Sequence, residues 1–422
     1  MLTTLKNAFK IKEIRKKLLF TFLMLVVIRV GCQLPVPGVN RHFFSNWFAA
    51  QTGDTFSFFN AFTGGSFENM SLFALNITPY ITSSIIIQLL TIAIPKLEEM
   101  QRDGEEGRKK LTSITRYVTV GLALIESAAM AIGFGRQGLM DDFNALNVIT
   151  VIAALTAGSA FLMWIGERIT ENGVGNGISI VLTINIISRM PSDLSSLYQQ
   201  FVKGKAVAVG ALAAVIILAI IVGMVILVII LNDAVRKIPV QYAKRIVGNK
   251  QYGGVRQYIP LKINAAGVMP IIFAQALMFI PALFSSSAIG TAFSDYGGFW
   301  YNFTFALLVI AFTYFYTAIT VNPNMMAEDM KRNGGFIPGV KPGKKTVEYL
   351  DTIMTRITLP GSIFLAIVAI LPAFAMKLGI NNQFALFYGG TSLLILVGVI
   401  LDTLQQIESY LLLRHYDGLM KT

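Results

Sequence analysis

Apolar residues along this chain gather into long blocks rather than short alternating runs. Each block is about the length a bilayer demands of a helix that crosses it, roughly 17–25 residues. Residues 206–231 are the extreme case, with no charged or hydrogen-bonding side chain. The blocks predict ten transmembrane helices, near 18–34, 77–94, 116–135, 147–166, 176–190, 208–231, 266–284, 303–321, 358–376 and 385–404. The fifth is short and carries Thr183, Asn185 and Ser188, so it is expected to touch little lipid.

The positions of the basic residues orient these spans. With the N-terminus inside, 28 of the 35 Lys and Arg fall in inside segments and six in outside ones, with Arg29 within the first span. That asymmetry predicts both termini on the cytoplasmic side. Ten spans divide into five and five, and an odd number per half gives the halves opposite orientation, as in inverted-repeat transport proteins. The expected halves are 1–190 and 206–404, joined by an external loop at 191–205 and followed by a cytoplasmic tail at 405–422.

Composition agrees and removes several functions. The chain is 54% hydrophobic and 14% charged, against about 25% charged in soluble domains. Cys32 is the single cysteine, and His42 and His415 are far apart, so neither a disulfide framework nor a metal site is expected. Gly339–Thr346 departs from a phosphate-binding loop at two positions, Pro338 and Lys345. Only Glu126 is ionisable near the middle of a span, which leaves no catalytic pair for intramembrane hydrolysis. No enzyme activity and no cofactor is expected.

The net charge of +12 is partly the ordinary basic bias of inside loops. Two of those loops are unusual. Residues 233–263 interleave seven Lys and Arg with Tyr242, Tyr252 and Tyr258, and Gly253-Gly254 reads as a hairpin tip. Residues 334–345 form a second basic loop ordered by Gly and Pro. Clustered cations of this kind suit an acidic partner.

Two further features point to a pathway through the membrane. Residues 67–75 place Phe67, Met70 and Phe73 on one helical face, yet the stretch is too short to span and is broken at Asn76-Ile77-Thr78-Pro79. It reads either as a re-entrant segment or as a helix lying on the outer leaflet. Branched aliphatics also stand beside helix breaks: Ile77 and Ile81 around Pro79, Ile178 and Leu182 after Gly177, Ile272 after Pro270, and Ile395 after Gly389-Gly390. They fit ordinary lipid-facing packing or an apolar ring that gates by dewetting.

Six segments carry a family resemblance. Pro35-Val-Pro-Gly38, Pro79-Tyr-Ile-Thr-Ser-Ser-Ile-Ile-Ile-Gln-Leu-Leu90 and Asn172-Gly-Val-Gly-Asn-Gly-Ile-Ser179 resemble the SecY family of protein-conducting channels. So do Ile238-Pro-Val-Gln-Tyr-Ala-Lys-Arg245, Pro260-Leu-Lys-Ile-Asn264 and Gly389-Gly-Thr-Ser-Leu-Leu-Ile395. The likeness runs through essentially the whole chain. It implies an all-α membrane protein with ten transmembrane helices in two inverted five-helix halves and a short re-entrant plug helix at about 64–75, including Phe67, Met70 and Phe73. It implies a pore ring of Ile77, Ile81, Ile178, Leu182, Ile272 and Ile395, and a lateral gate that includes Gln88, Glu126 and Gln275.

The same resemblance implies partner docking through Lys244, Arg245, Lys250, Arg256, Lys341, Lys344, Lys345 and Arg356. The implied partners are SecE and SecG, the SecA motor ATPase, the ribosome through its RNA, signal peptides with nascent chains, and membrane lipid. The implied location is a bacterial cytoplasmic membrane. Two positions depart from the family pattern: Lys341 replaces the usual arginine and loses its planar fork, and Glu126 replaces the usual glutamine. A secondary transporter of small solutes is the alternative, and would require a polar site at mid-membrane.

Overall fold

The computed structural model describes residues 9, 11–50, 63–135, 138, 140, 142–201, 207–242, 245–247, 250–252, 256–282, 298–377 and 391–419. Each expected span falls on a helix. These are α1 (Lys12–Gly31), α3 (Thr78–Ala93), α5 (Gly104–Phe134), α6 (Ala145–Asn172), α7 (Gly177–Phe201), α8 (Val207–Asp233), α9 (Met269–Ala282), α10 (Phe299–Thr320), α12 (Lys344–Lys377) and α13 (Thr391–Leu419). Outside them lie α2 (Arg41–Ala50), α4 (Pro95–Arg102) and α11 (Pro323–Arg332). Among the described residues, five helices are each long and apolar enough to cross a membrane, or six when α3 is joined to α4 across a 108° bend.

Helix ends follow local sequence. Pro79, Pro95 and Pro323 sit in the first turns of α3, α4 and α11, where a missing N–H costs nothing. The bend between α3 and α4 falls at Ile94-Pro95, because the residue before proline is pushed out of the helical region; Ile94 has φ −113° and ψ 109°. Helix α12 starts well before its expected span, so the basic loop at 341–345 runs directly into a membrane helix.

The chain forms two compact units. One comprises Met1–Leu197, Asn382–Phe387 and Val399–Thr422; the other comprises Tyr198–Asn381 and Tyr388–Gly398. In the first, helices are joined by close backbone approach. A Cβ on Gly158 of α6 would overlap the carbonyl of Leu72, and one on Gly31 of α1 would overlap the ring of Phe73. Lipid supplies no hydrophobic drive between helices, so small residues that admit such contact supply the packing.

Among its described residues the second unit contains five short strands: β1 (Val235–Tyr242), β2 (Arg245–Val247), β3 (Lys250–Tyr252), β4 (Arg256–Lys262) and β5 (Gly335–Phe336). They pair antiparallel in the orders β4-β1-β5 and β2-β3. The sequence reading placed a hairpin tip at Gly253-Gly254, which lies outside the described residues. Among the described residues, β3 pairs with β2 and β4 with β1. The apolar alternation of β1 selects its partner: Ile238 and Val240 are buried while Lys237 and Pro239 are exposed. That register puts Ile238 opposite Ile259, against the same core.

Candidate functional site

Residues 64–77 form a chain of turns rather than the expected short helix. Gly64, Gly65, Met70 and Asn76 all take positive φ (64°, 84°, 43° and 53°), and residues in the left-handed region cannot continue a right-handed helix. The consequence is a redistribution of the three candidate plug residues. Phe67 and Met70 join Val36, Ala123, Ala131, Val151 and Leu155 in one buried cluster. Phe73 joins a different one with Ile28, Cys32, Leu162, Ile165, Ile169 and Val181. The segment is tied to the chain after α1 by a short antiparallel bridge, with Val36 N donating to Met70 O (3.1 Å) and Leu72 N to Leu34 O (2.8 Å).

Three candidate ring residues meet in the second cluster. Ile77 is fully buried there, with Ile81 and Ile178 packed against it. Leu182, one turn along α7 from Ile178, is also buried. The remaining two belong to the other unit, where Ile272 is half-buried on α9 and Ile395 is buried on α13.

The Gly-rich turn 173–177 is a packing junction. Val174 N donates to Thr21 Oγ1 of α1 (3.1 Å), Gly175 N to Gln406 Oε1 of α13 (2.5 Å), and Gly177 N to Thr170 Oγ1 of α6 (2.9 Å). Gly175 has φ +83° and a Cβ there would fall 2.9 Å from Thr403 Oγ1. Both constraints call for glycine. Beside it, Lys17 Nζ stands 4.5 Å above the Tyr410 ring.

A buried polar cluster lies under the turn segment, and sequence reasoning did not assemble it. Asn185 Nδ2 donates to Asn76 Oδ1 (3.1 Å), and Ser159 Oγ donates to Asn76 O (3.1 Å). Arg29 Nη1 donates to Asn185 Oδ1 at 3.5 Å, and Cys32 Sγ approaches the same oxygen at 4.0 Å. Asn76 and Asn185 are each 1% exposed. The available signals were Arg29, a basic residue within the first expected span, and Asn185 in the fifth.

The gate candidates in the first unit lie at different depths. Helices α5 and α6 run antiparallel, since Ser127 bonds Thr156 (3.0 Å) and Arg116 bonds Glu167 (2.8 Å). Ser83 of α3 bonds Thr119 of α5 at 2.5 Å. From that level Gln88 lies toward one end and Glu126 toward the other. At 1.5 Å per residue they are separated by roughly 18 Å along the helix axes. Both are half-buried, as is Gln275 on α9.

The two basic loops build one small domain. Ile238, Val240 and Leu261 of the sheet pack on Ala327 and Met330 of α11, on Ile337, and on Leu350 and Met354 of α12. Lys341, Lys344, Lys345 and Arg356 are exposed around this core. The Lys345–Glu348 pair is exposed and long, at 3.4 Å, so it restrains little. Arg245, Lys250 and Arg256 stand on strands β2, β3 and β4. Lys244 lies outside the described residues.

The SecY family model matches residues 71–404. The chain is 45% identical to the protein translocase subunit SecY of Halalkalibacterium halodurans, over 100% of both chains. Among solved structures it is similar to "The structure of a protein conducting channel", with 18% identity, a TM-score of 0.64, and coverage of 94% of this chain and 92% of that one. It is also similar to "Sec61 in the Canine ribosome-channel complex from the endoplasmic reticulum", with 16% identity, a TM-score of 0.58 and coverage of 94% and 92%.

Proposed function

The chain belongs to the SecY family, and on that premise we propose how it works as the channel subunit of a protein translocase. Unfolded secretory polypeptides pass through a pore ringed by Ile77, Ile81, Ile178, Leu182, Ile272 and Ile395. Aliphatic side chains offer a passing backbone no hydrogen bond, so the ring yields to many sequences and retains none. With no chain present, an apolar constriction excludes water and ions. Residues 64–75, with Phe67, Met70 and Phe73, act as the plug outside that ring. The observation that supports this most directly is the convergence of Ile77, Ile81 and Ile178 on the apolar cluster that also holds Phe73 of the turn segment.

The remaining assignments rest on the same premise. The halves are 1–190 and 206–404, joined by the external loop 191–205, with both termini cytoplasmic and 405–422 as a tail. Gln88, Glu126 and Gln275 belong to a lateral gate through which an apolar signal leaves for lipid. The sheet domain faces the cytoplasm of a bacterial cell. Lys341, Lys344, Lys345 and Arg356, with Lys244, Arg245, Lys250 and Arg256, offer cations to the ribosome or to the SecA motor. SecE and SecG complete the complex. Energy comes from the motor, the ribosome or the membrane potential, and the chain itself catalyses no reaction.

Co-purification and reconstitution test this reading. Vesicles containing the chain with SecE and SecG are expected to import a signal-bearing precursor when SecA and ATP are supplied, and not a precursor lacking its signal. Uptake of a small solute instead, with no precursor import and no small partner subunits, would favour the transporter alternative.

A further inference from the structure

Asn185 touches both ends of the turn segment. At one end, Asn185 Nδ2 donates to Asn76 Oδ1. At the other, Gly64 lies so close that a Cβ there would stand 2.8 Å from Asn185 O and 3.0 Å from its Cα. The amide oxygen of the same residue accepts from Arg29, and Cys32 approaches it from the end of α1. Thus one side chain on α7 joins the segment to α1. Asn76 suits this role because asparagine tolerates the left-handed backbone that turns the chain there.

We infer that Asn185 is the latch of the plug, a positioning residue whose bond to Asn76 must break before residues 64–76 can leave their seat. This rests on the reading of that segment as the plug. The segment is also held by Ser159 Oγ donating to Asn76 O, by backbone bonds to 34–36 and by apolar packing of Phe67, Met70 and Phe73. An amide pair differs from the apolar packing in its response to water. It is strong while dry and loses most of its net value once water competes for its donor and acceptor. A polypeptide that wets the site therefore weakens this contact more than the apolar ones, which gives the segment a release that depends on occupancy.

The chain carries its own reporter, because Cys32 is its single cysteine, is 3% exposed and lies 4.0 Å from Asn185 Oδ1. The experiment measures the rate at which a maleimide alkylates Cys32 in vesicles holding the complete complex without substrate. Asn76→Gly keeps a residue at ease with positive φ and removes the amide; Asn185→Ala removes its partner. Both are expected to raise the rate at least about tenfold, given the cost of a lost buried hydrogen bond. Asn76→Asp keeps an acceptor and is expected to restore the slow rate, a rescue that mere loosening of the helices would not produce.

Unchanged rates in both Asn76→Gly and Asn185→Ala would overturn the latch. Failure of both to accumulate in the membrane would also count against it, because a latch opens without dismantling the helices. Precursor import is measured in parallel on the unsubstituted complex. If import fails there, the plug reading falls, whereas the Cys32 rates judge Asn185 independently.

Discussion

Gly177, at the entry to α7, lies directly on Gly166 of α6: a Cβ on Gly177 would overlap the carbonyl oxygen of Gly166. This contact turns the chain from one membrane helix into the next and brings Ile178 against the cluster around Ile77. Gly177→Ala is expected to cost about 1–3 kcal/mol through overpacking. Gly121 on α5 has nothing within 4 Å of its would-be Cβ, so Gly121→Ala is expected to be neutral or stabilising by about 0.5–1 kcal/mol. Thermal unfolding of the two variants in detergent checks this, and equal midpoints would refute the close contact.

The sheet domain is held by a buried apolar cluster, and burial of apolar surface from water drives such packing. Leu350 of α12 is fully buried in the cluster that packs this helix on the sheet. Leu350→Ala should destabilise that domain by about 2–5 kcal/mol while leaving the membrane helices in place. Limited proteolysis is the measurement: cleavage within 233–263 should accelerate in the variant, with the transmembrane fragments remaining protected.

Reversing the two exposed lysines at the head of α12, Lys344→Glu with Lys345→Glu, is expected to weaken ribosome binding. The loss should be larger at low salt than at high salt, because exposed charges are screened over about 10 Å at 0.1 M. Titration at two ionic strengths reads it. An affinity that matches the unsubstituted channel at both would remove these lysines from the docking surface.

Polar substitution of the ring should open it to ions. Ile81→Asn with Ile272→Asn places hydrogen-bonding groups where the proposed ring is apolar, so the constriction should wet. Conductance of the resting channel in planar bilayers is expected to rise well above that of the unsubstituted protein. Unchanged conductance from a folded double variant would exclude these two residues from the ring.

The positions of the spans were legible in the sequence because a bilayer sets both the length and the composition of any helix that crosses it. For the same reason 206–231 could be read without knowing its neighbours. Residues beside helix breaks, such as Ile77 and Ile178, were also legible, since proline and glycine act locally. What tertiary structure decided was pairing. Asn76 and Asn185 are 109 positions apart, and no periodicity encodes which helices become neighbours. The two basic loops read as separate segments, yet Gln241 of one pairs with Phe336 of the other, because strand register is fixed by a shared core. The stretch 67–75 carries a helical spacing of apolar residues, but its left-handed turns at Met70 and Asn76 send Phe67 and Phe73 into different clusters. Spacing records which side chains seek burial, and the packed neighbours determine where each of them finds it.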